Sequence, residues 1–261
     1  MDQSLIYIHP EAKIGKNVTV EPFTSVSKDV EIGDGTWIGP NVTIMDGARI
    51  GKNCKIFPGA VISAIPQDLK FNGEITTAEV GDNTTIRECV TINRGTVAKD
   101  KTVVGSNCML MAYAHVAHDC IIGNNVIIGN ACQIAGEVEI DDFAILSGLV
   151  AVHQFVRIGG HVMVSGGSLV RKDVPPYVKA AHEPLSYVGV NSIGLRRRKF
   201  DNNKINEILD IYREIYLKGN NNSKALENIE AQIPASKERD EIVQFLKNSS
   251  RGIIKGYKKG E

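Results

Sequence analysis

Residues 121–146 read IIGNNVIIGNACQIAGEVEIDDFAIL, and a large aliphatic side chain returns at every sixth place: Ile122, Ile128, Ile134, Ile140 and Leu146. Two positions before the later members stand small or β-branched residues, Val126, Cys132, Val138 and Ala144. A helix of 3.6 residues per turn cannot keep a six-residue repeat on one face. Inward residues two apart, followed by a corner, match a short strand and a turn.

The same register runs outward in both directions. From Ile8 to Val170 the series has 28 positions, and only Asp68, Glu74 and Ala98 lack a large aliphatic. A sustained period of this kind is the signature of a parallel β-helix. Many aliphatics are followed directly by glycine, as at Gly15, Gly33, Gly51, Gly123 and Gly129. Corners with unusual backbone angles or close approach favour that residue. Cys54, Cys108, Cys120 and Cys132 fall in the small slot and are expected to pack as core thiols. Cys89 falls one place ahead of it and is expected at the surface.

Two polar stretches, near 64–78 and 94–102, break the pattern without losing the register and read as loops on a rigid scaffold. The repeat ends at the run DVPPY, where Pro175-Pro176 is expected to halt any strand ladder. From about Asp201 the pattern turns helical, with Asp201 as a cap and Gly219 at the far end; Ser223 and Ser236 are candidate caps for two more helices. The division is thus a β-helical region over 1–177 and a connector with a small α-helical domain over 178–261.

The chain of 261 residues carries 30 basic and 30 acidic side chains, a balance that argues against nucleic-acid binding. Half of the basic residues lie from 190 onward, so the tail is the basic end. The opening MDQSLIYIHP has no secretory pattern and no apolar run approaches a membrane span, so the expected location is the cytoplasm without membrane insertion.

A regular solenoid needs no histidine, which makes AHVAHDC (114–120) the informative departure. Eighteen places beyond His118 lies Gly136, and eighteen beyond that lies Gln154, next to His153. With three hexads to a coil, these stack in one column about 4.8 Å apart. A near-neutral imidazole can take a proton from a hydroxyl and return it to a departing thiolate. A neighbouring carboxylate, Asp119, can fix its tautomer, provided that the two residues turn a corner. The bare N–H of Gly136 can hold an oxyanion.

The strings PQDLKF, RECVTINRGT, AHVAHDC, AVHQF, GGHVMVSGGS, DVPPY and GVNSIGLRRRKF, in that order, closely resemble the bacterial UDP-N-acetylglucosamine 3-O-acyltransferase family, over nearly the whole chain. The resemblance implies an all-β left-handed parallel β-helix, triangular in section, followed by the helical domain. It implies a homotrimer with active sites between subunits, and transfer of a 3-hydroxyacyl chain from acyl carrier protein to UDP-GlcNAc as the first step of lipid A synthesis. The catalytic residues would be His118 as general base, Asp119 as its partner and Gly136 as oxyanion donor. Asp68, Lys70, His115, His153, Gln154, Asn191 and Arg198 would line the substrate site. Gly166 would leave room for a long acyl chain, and Arg196, Arg197 and Arg198 would meet the carrier protein or its pantetheine. No resident cofactor or metal is expected, since the donor brings its own 4'-phosphopantetheine.

The sequence departs from the family at Glu137 and Asn93, where some members have histidine, and at Ile193, often acidic. Among rivals, the sister N-acyltransferase normally carries an N-terminal domain, whereas here the repeat begins by Ile8. Coenzyme A-dependent sugar acetyltransferases lack the seven strings. A zinc hydratase like the gamma-type carbonic anhydrases would use three histidines such as His115, His118 and His153, but Asp119 and the Gly136 column suit acyl transfer better. A surface-binding role, as on ice, would want a uniform outward array instead of the mixed one present.

Overall fold

The computed structural model describes residues 5–257. The N-terminal stretch read as leader-free starts with residues 1–4, and the basic tail ends with residues 258–261; both lie outside the described residues. The hexads form very short strands, such as His115–Val116, Ile121–Ile122 and Ile127–Ile128, each joined to the next by a tight corner. They assemble into three parallel sheets. The first runs from Tyr7–Ile8 to Leu169–Val170, the second from Lys13–Ile14 to Arg157–Ile158, and the third begins at Thr19–Val20. In the regular coils a residue pairs with the one eighteen positions on, as His115 does with Gln133 and Gln133 with Ala151. The result is a left-handed parallel β-helix with a small helical domain at its C-terminal end.

The aliphatic series fills the prism. From Val26 to Val170 its members are buried, many to 0% exposure, and each contributes roughly 1.5–3 kcal/mol through burial. Ile8 and Ile14, in the first described coil, are 37% and 36% exposed. The four cysteines of the small slot are buried free thiols, and Cys89 is exposed. Burial pushes the Cys120 thiol up to about 12, so it is inert as a nucleophile.

The corner glycines work by close approach. A Cβ on Gly33 would lie 2.6 Å from the carbonyl carbon of Gly51 in the next coil. The left-handed backbone falls at the second turn residue, on Gly35 two places after Gly33 but on Asn17, Asn53 and Asn125 two places after Gly15, Gly51 and Gly123, and on Asp119 and Phe143 at other corners.

Both insertions leave the first sheet and return in the second, so they project from one edge of the prism. Val61 pairs with Thr91, thirty positions on, and Thr91 with His115, twenty-four on. The extra lengths are twelve and six residues, whole hexads, and the columns above stay in phase.

Pro175-Pro176 does not end the ladder. Val178–Ala181 adds to the third sheet beside Met163 and Val164, and Ser186–Val190 pairs antiparallel with it. The prolines occupy the corner, where no ladder N–H is needed, and the strand resumes beyond them. Four helices follow among the described residues: α1 (Ser192–Arg197), α2 (Asn202–Tyr216), α3 (Asn222–Gln232) and α4 (Lys237–Lys247). Asp201 and Ser236 cap α2 and α4 as expected, but α3 is capped by Asn221, whose side chain accepts the Lys224 N–H, and not by Ser223. Ile205, Ile208, Tyr212 and Ile215 of α2 are buried against the end of the prism, and the Tyr212 hydroxyl donates to Pro176 O at 2.5 Å. Among the described residues no helix is long and apolar enough to cross a membrane.

Candidate active site

The corner between the first and second sheets carries the polar cluster. His118 and Asp119 form the turn between His115–Val116 and Ile121–Ile122, with Asp119 in the left-handed region at φ 59°. That turn brings two adjacent side chains together where a straight strand would have parted them. His118 Nδ1 lies 2.7 Å from Asp119 Oδ2, with Asp119 wholly buried and His118 8% exposed.

Burial alone would raise the Asp119 carboxyl. Hydrogen bonds from His118, from the Thr96 hydroxyl, and from the Thr96 and Lys99 N–H groups outweigh it and hold the carboxyl below its ordinary range. An ionised Asp119 therefore accepts from His118 Nδ1–H, which leaves Nε2 as the free basic nitrogen.

On its other side His118 meets Gly136. A Cβ there would sit 2.6 Å from both Cε1 and Nε2 of the ring, so only glycine fits this place in the column. The Gly136 N–H makes no hydrogen bond among the described residues, while its carbonyl accepts from Phe155 in the next coil at 3.2 Å. A bare donor thus stands beside a free imidazole nitrogen.

The longer insertion reaches the same place from below. Asp68 Oδ2 is 3.9 Å from His118 Nε2, and Lys70 N–H donates to Asp68 Oδ1 at 3.0 Å. Asn93 anchors this loop by donating to Ile65 O at 3.2 Å. His115 lies one hexad position before the turn, 2.7 Å from Thr91 Oγ1; burial, and then the nearby His118, hold its imidazole below the usual range and so neutral.

The comparisons bear on what such a constellation serves. A family model described as UDP N-acetylglucosamine O-acyltransferase, domain 2, matches residues 173–254, and the bacterial transferase hexapeptide model matches 29–64 and 101–136. An acyl-acyl-carrier-protein UDP-N-acetylglucosamine O-acyltransferase of Chlorobaculum parvum is 52% identical over 193 residues, 74% of this chain and 73% of that protein. The enzyme of the same name from Aliivibrio fischeri is 43% identical over 255 residues, covering 95% of this chain and 97% of that one. A solved UDP-N-acetylglucosamine acyltransferase from Bacteroides fragilis superposes with a TM-score of 0.95 at 55% identity, over 98% of this chain and 100% of that one. The chain belongs to the UDP-N-acetylglucosamine O-acyltransferase family.

Within this acyltransferase chain the remaining candidate residues lie further along the His118 edge or on the other two edges. Gln154 continues the column of His118 and Gly136, with His153 exposed beside it, 3.2 Å from Arg251 Nη2. Asn191 and Arg198 lie at the corner between the second and third sheets. Asn191 is 4% exposed; its Oδ1 caps α1 by accepting from Gly194 N–H and its Nδ2 donates to His161 O at 2.9 Å. Arg198 Nη2 donates to Phe143 O at 2.9 Å, and burial lowers its guanidinium. Arg196 and Arg197 are exposed on α1, and Gly166 lies at the third corner, exposed, with Gly148 O 3.1 Å from a Cβ built there. One chain therefore distributes the candidate residues over all three edges of its prism. Glu137, next to Gly136, donates its N–H to His118 O at 3.0 Å, and Ile193 is 62% exposed.

Thr96, Lys99 and Thr102 were not legible as site residues. Register arithmetic offers a signal for them, since one coil below Asp119 falls within the shorter insertion. Among the described residues no group of three or more histidine, cysteine, aspartate or glutamate side chains is arranged to hold a metal ion.

Proposed function

We propose that this acyltransferase moves a 3-hydroxyacyl chain from acyl carrier protein to the glucosamine 3-hydroxyl of UDP-GlcNAc, the first step of lipid A synthesis, with His118 as general base. The observation that carries the mechanism is the position of His118, its Nδ1 on buried Asp119 and its Nε2 against the Gly136 backbone.

Nε2 takes the proton of the sugar hydroxyl as the oxygen attacks the thioester carbonyl. Asp119 stabilises the resulting imidazolium and fixes its orientation. The Gly136 N–H, without a partner among the described residues, donates to the oxyanion of the tetrahedral intermediate. Collapse expels the pantetheine thiolate, which takes the proton back from His118. A thiol with a pKa of about 8.5 leaves readily, so neither a protein nucleophile nor a resident cofactor enters the scheme. Asp68, 3.9 Å from Nε2, and Lys70 on the same loop are the proposed contacts to the sugar nucleotide.

The distribution of candidates over three edges supports a homotrimer, in which the His118 edge of one prism faces the Asn191 and Gly166 edges of its neighbours. The exposed arginines Arg196 and Arg197 suit an acidic carrier protein approaching such a cleft. The cytoplasm, where acyl carrier protein resides, is the matching location.

The deciding experiment incubates chelator-treated protein with UDP-GlcNAc and 3-hydroxyacyl carrier proteins of several lengths and scores product by mass spectrometry. O-acylated product at the 3-position is expected, with long chains accepted. Folded protein inactive with every donor overturns the assignment and directs attention to coenzyme A thioesters and to zinc.

A further inference from the structure

Along the His118 edge, the second residue of a turn donates its N–H to a carbonyl one coil below, as Glu137 does to His118 O and Phe155 to Gly136 O. Asp119 has no such carbonyl, because six extra residues open the coil beneath it. Its N–H donates instead to Thr102 Oγ1 at 2.8 Å.

The opened coil turns its donors toward the carboxylate. Oδ1 accepts from Thr96 N–H at 2.9 Å and Lys99 N–H at 3.1 Å, while Oδ2 accepts from Thr96 Oγ1 at 2.7 Å. That same Oδ2 faces His118 Nδ1 at 2.7 Å. The Thr96 hydroxyl also accepts from Ala98 N–H at 3.2 Å, which leaves its own proton directed at Asp119. Thr96 is 6% exposed, and its segment is pinned by Asp100 N–H to Thr96 O at 2.8 Å and Thr76 Oγ1 to Gly95 O at 2.6 Å.

We propose that Thr96 is a positioning residue for acyl transfer, holding Asp119 Oδ2 on the His118 imidazole and setting how strongly that oxygen draws the imidazole proton. The inference rests on the reading of His118 as the base. A hydroxyl on the shared oxygen withdraws charge from it. Without the hydroxyl, Oδ2 becomes a stronger partner for the imidazolium and a looser anchor for the ring. The base then protonates at higher pH, and fewer encounters have the ring in place.

The test compares wild type with Thr96→Val, Thr96→Ala, Thr96→Ser and His118→Ala, measuring kcat, both KM values, the acid limb of kcat/KM against pH, and thermal melting. Val and Ala are expected to lose about ten-fold in kcat, with both KM values held within about two-fold. Their acid limb moves up by a few tenths of a unit to about one unit. Ser restores rate and limb together.

A folded variant lacking the hydroxyl but keeping the wild-type kcat and limb overturns the assignment, as does a Ser variant that behaves like Val. If Val melts below the assay temperature, Ala carries the same test; if neither holds its fold, Thr96 is structural and the assignment falls. Activity in His118→Ala removes the base reading and this inference with it. An inactive His118→Ala beside unperturbed Thr96 variants removes only the role of Thr96.

Discussion

His118 and Gly136 stand so close across adjacent coils that a methyl group on residue 136 would lie 2.6 Å from two ring atoms of His118. Gly136→Ala must therefore push the imidazole off Asp119 and crowd the oxyanion donor at the same time. A loss of roughly 10²–10³ in kcat is expected. The site is at a corner outside the aliphatic core, so the melting temperature should stay close to wild type; an active Gly136→Ala would show that the ring does not work from this position.

His118→Ala is expected to remove turnover, by about 10²–10⁴, while the prism stays folded. The ring contributes no core packing, and the ladder pairs of His115 and Val116 do not involve it. Far-UV circular dichroism alongside product formation checks both halves. Near-normal turnover excludes His118 as the base.

Acid stability should depend on a different histidine. His161 is stacked on Phe143 and Tyr177 at centroid distances of 4.9 and 5.4 Å. Burial, and then the Arg198 charge, hold its imidazole down at about 4. Because the folded value lies below the unfolded one, the unfolded chain binds the extra proton between about 4 and 6.5. The corresponding stability is present above pH 6.5 and lost as pH falls through that window. Among the described residues His161 Nδ1 has no hydrogen-bond partner, and Phe143 already occupies the equivalent left-handed corner position one coil below. His161→Phe should therefore fold, and should flatten the pH dependence of melting between 4 and 6.5. An unchanged slope in that range would assign the acid sensitivity to other groups.

The period of six makes the prism legible in the sequence, and columns of eighteen put Gly136 one coil above His118. Both rest on the rigid repeat of the coil, which one residue's neighbours cannot shift. The pairing of His118 with Asp119 hinged on a corner that spacing could not prove, and the left-handed Asp119 supplies it. The donors on Asp119 stayed hidden because they are backbone N–H groups and a threonine in an irregular loop. The hairpin after Pro175-Pro176 was missed for a related reason: proline forbids a ladder bond at its own residue and says nothing about the next strand. Asn191, read from the resemblance as a substrate contact, also has a role spacing did not suggest, since its side chain caps α1 within the chain.

The two insertions, twelve and six residues long, have a bearing on how such a protein can change. Both leave the first sheet and re-enter the second, so the coils above are positioned by ladder pairing with the coils below and not by what the loops contain. The edge behaves as a socket, where new recognition elements can be exchanged while the acid–base residues above keep their alignment.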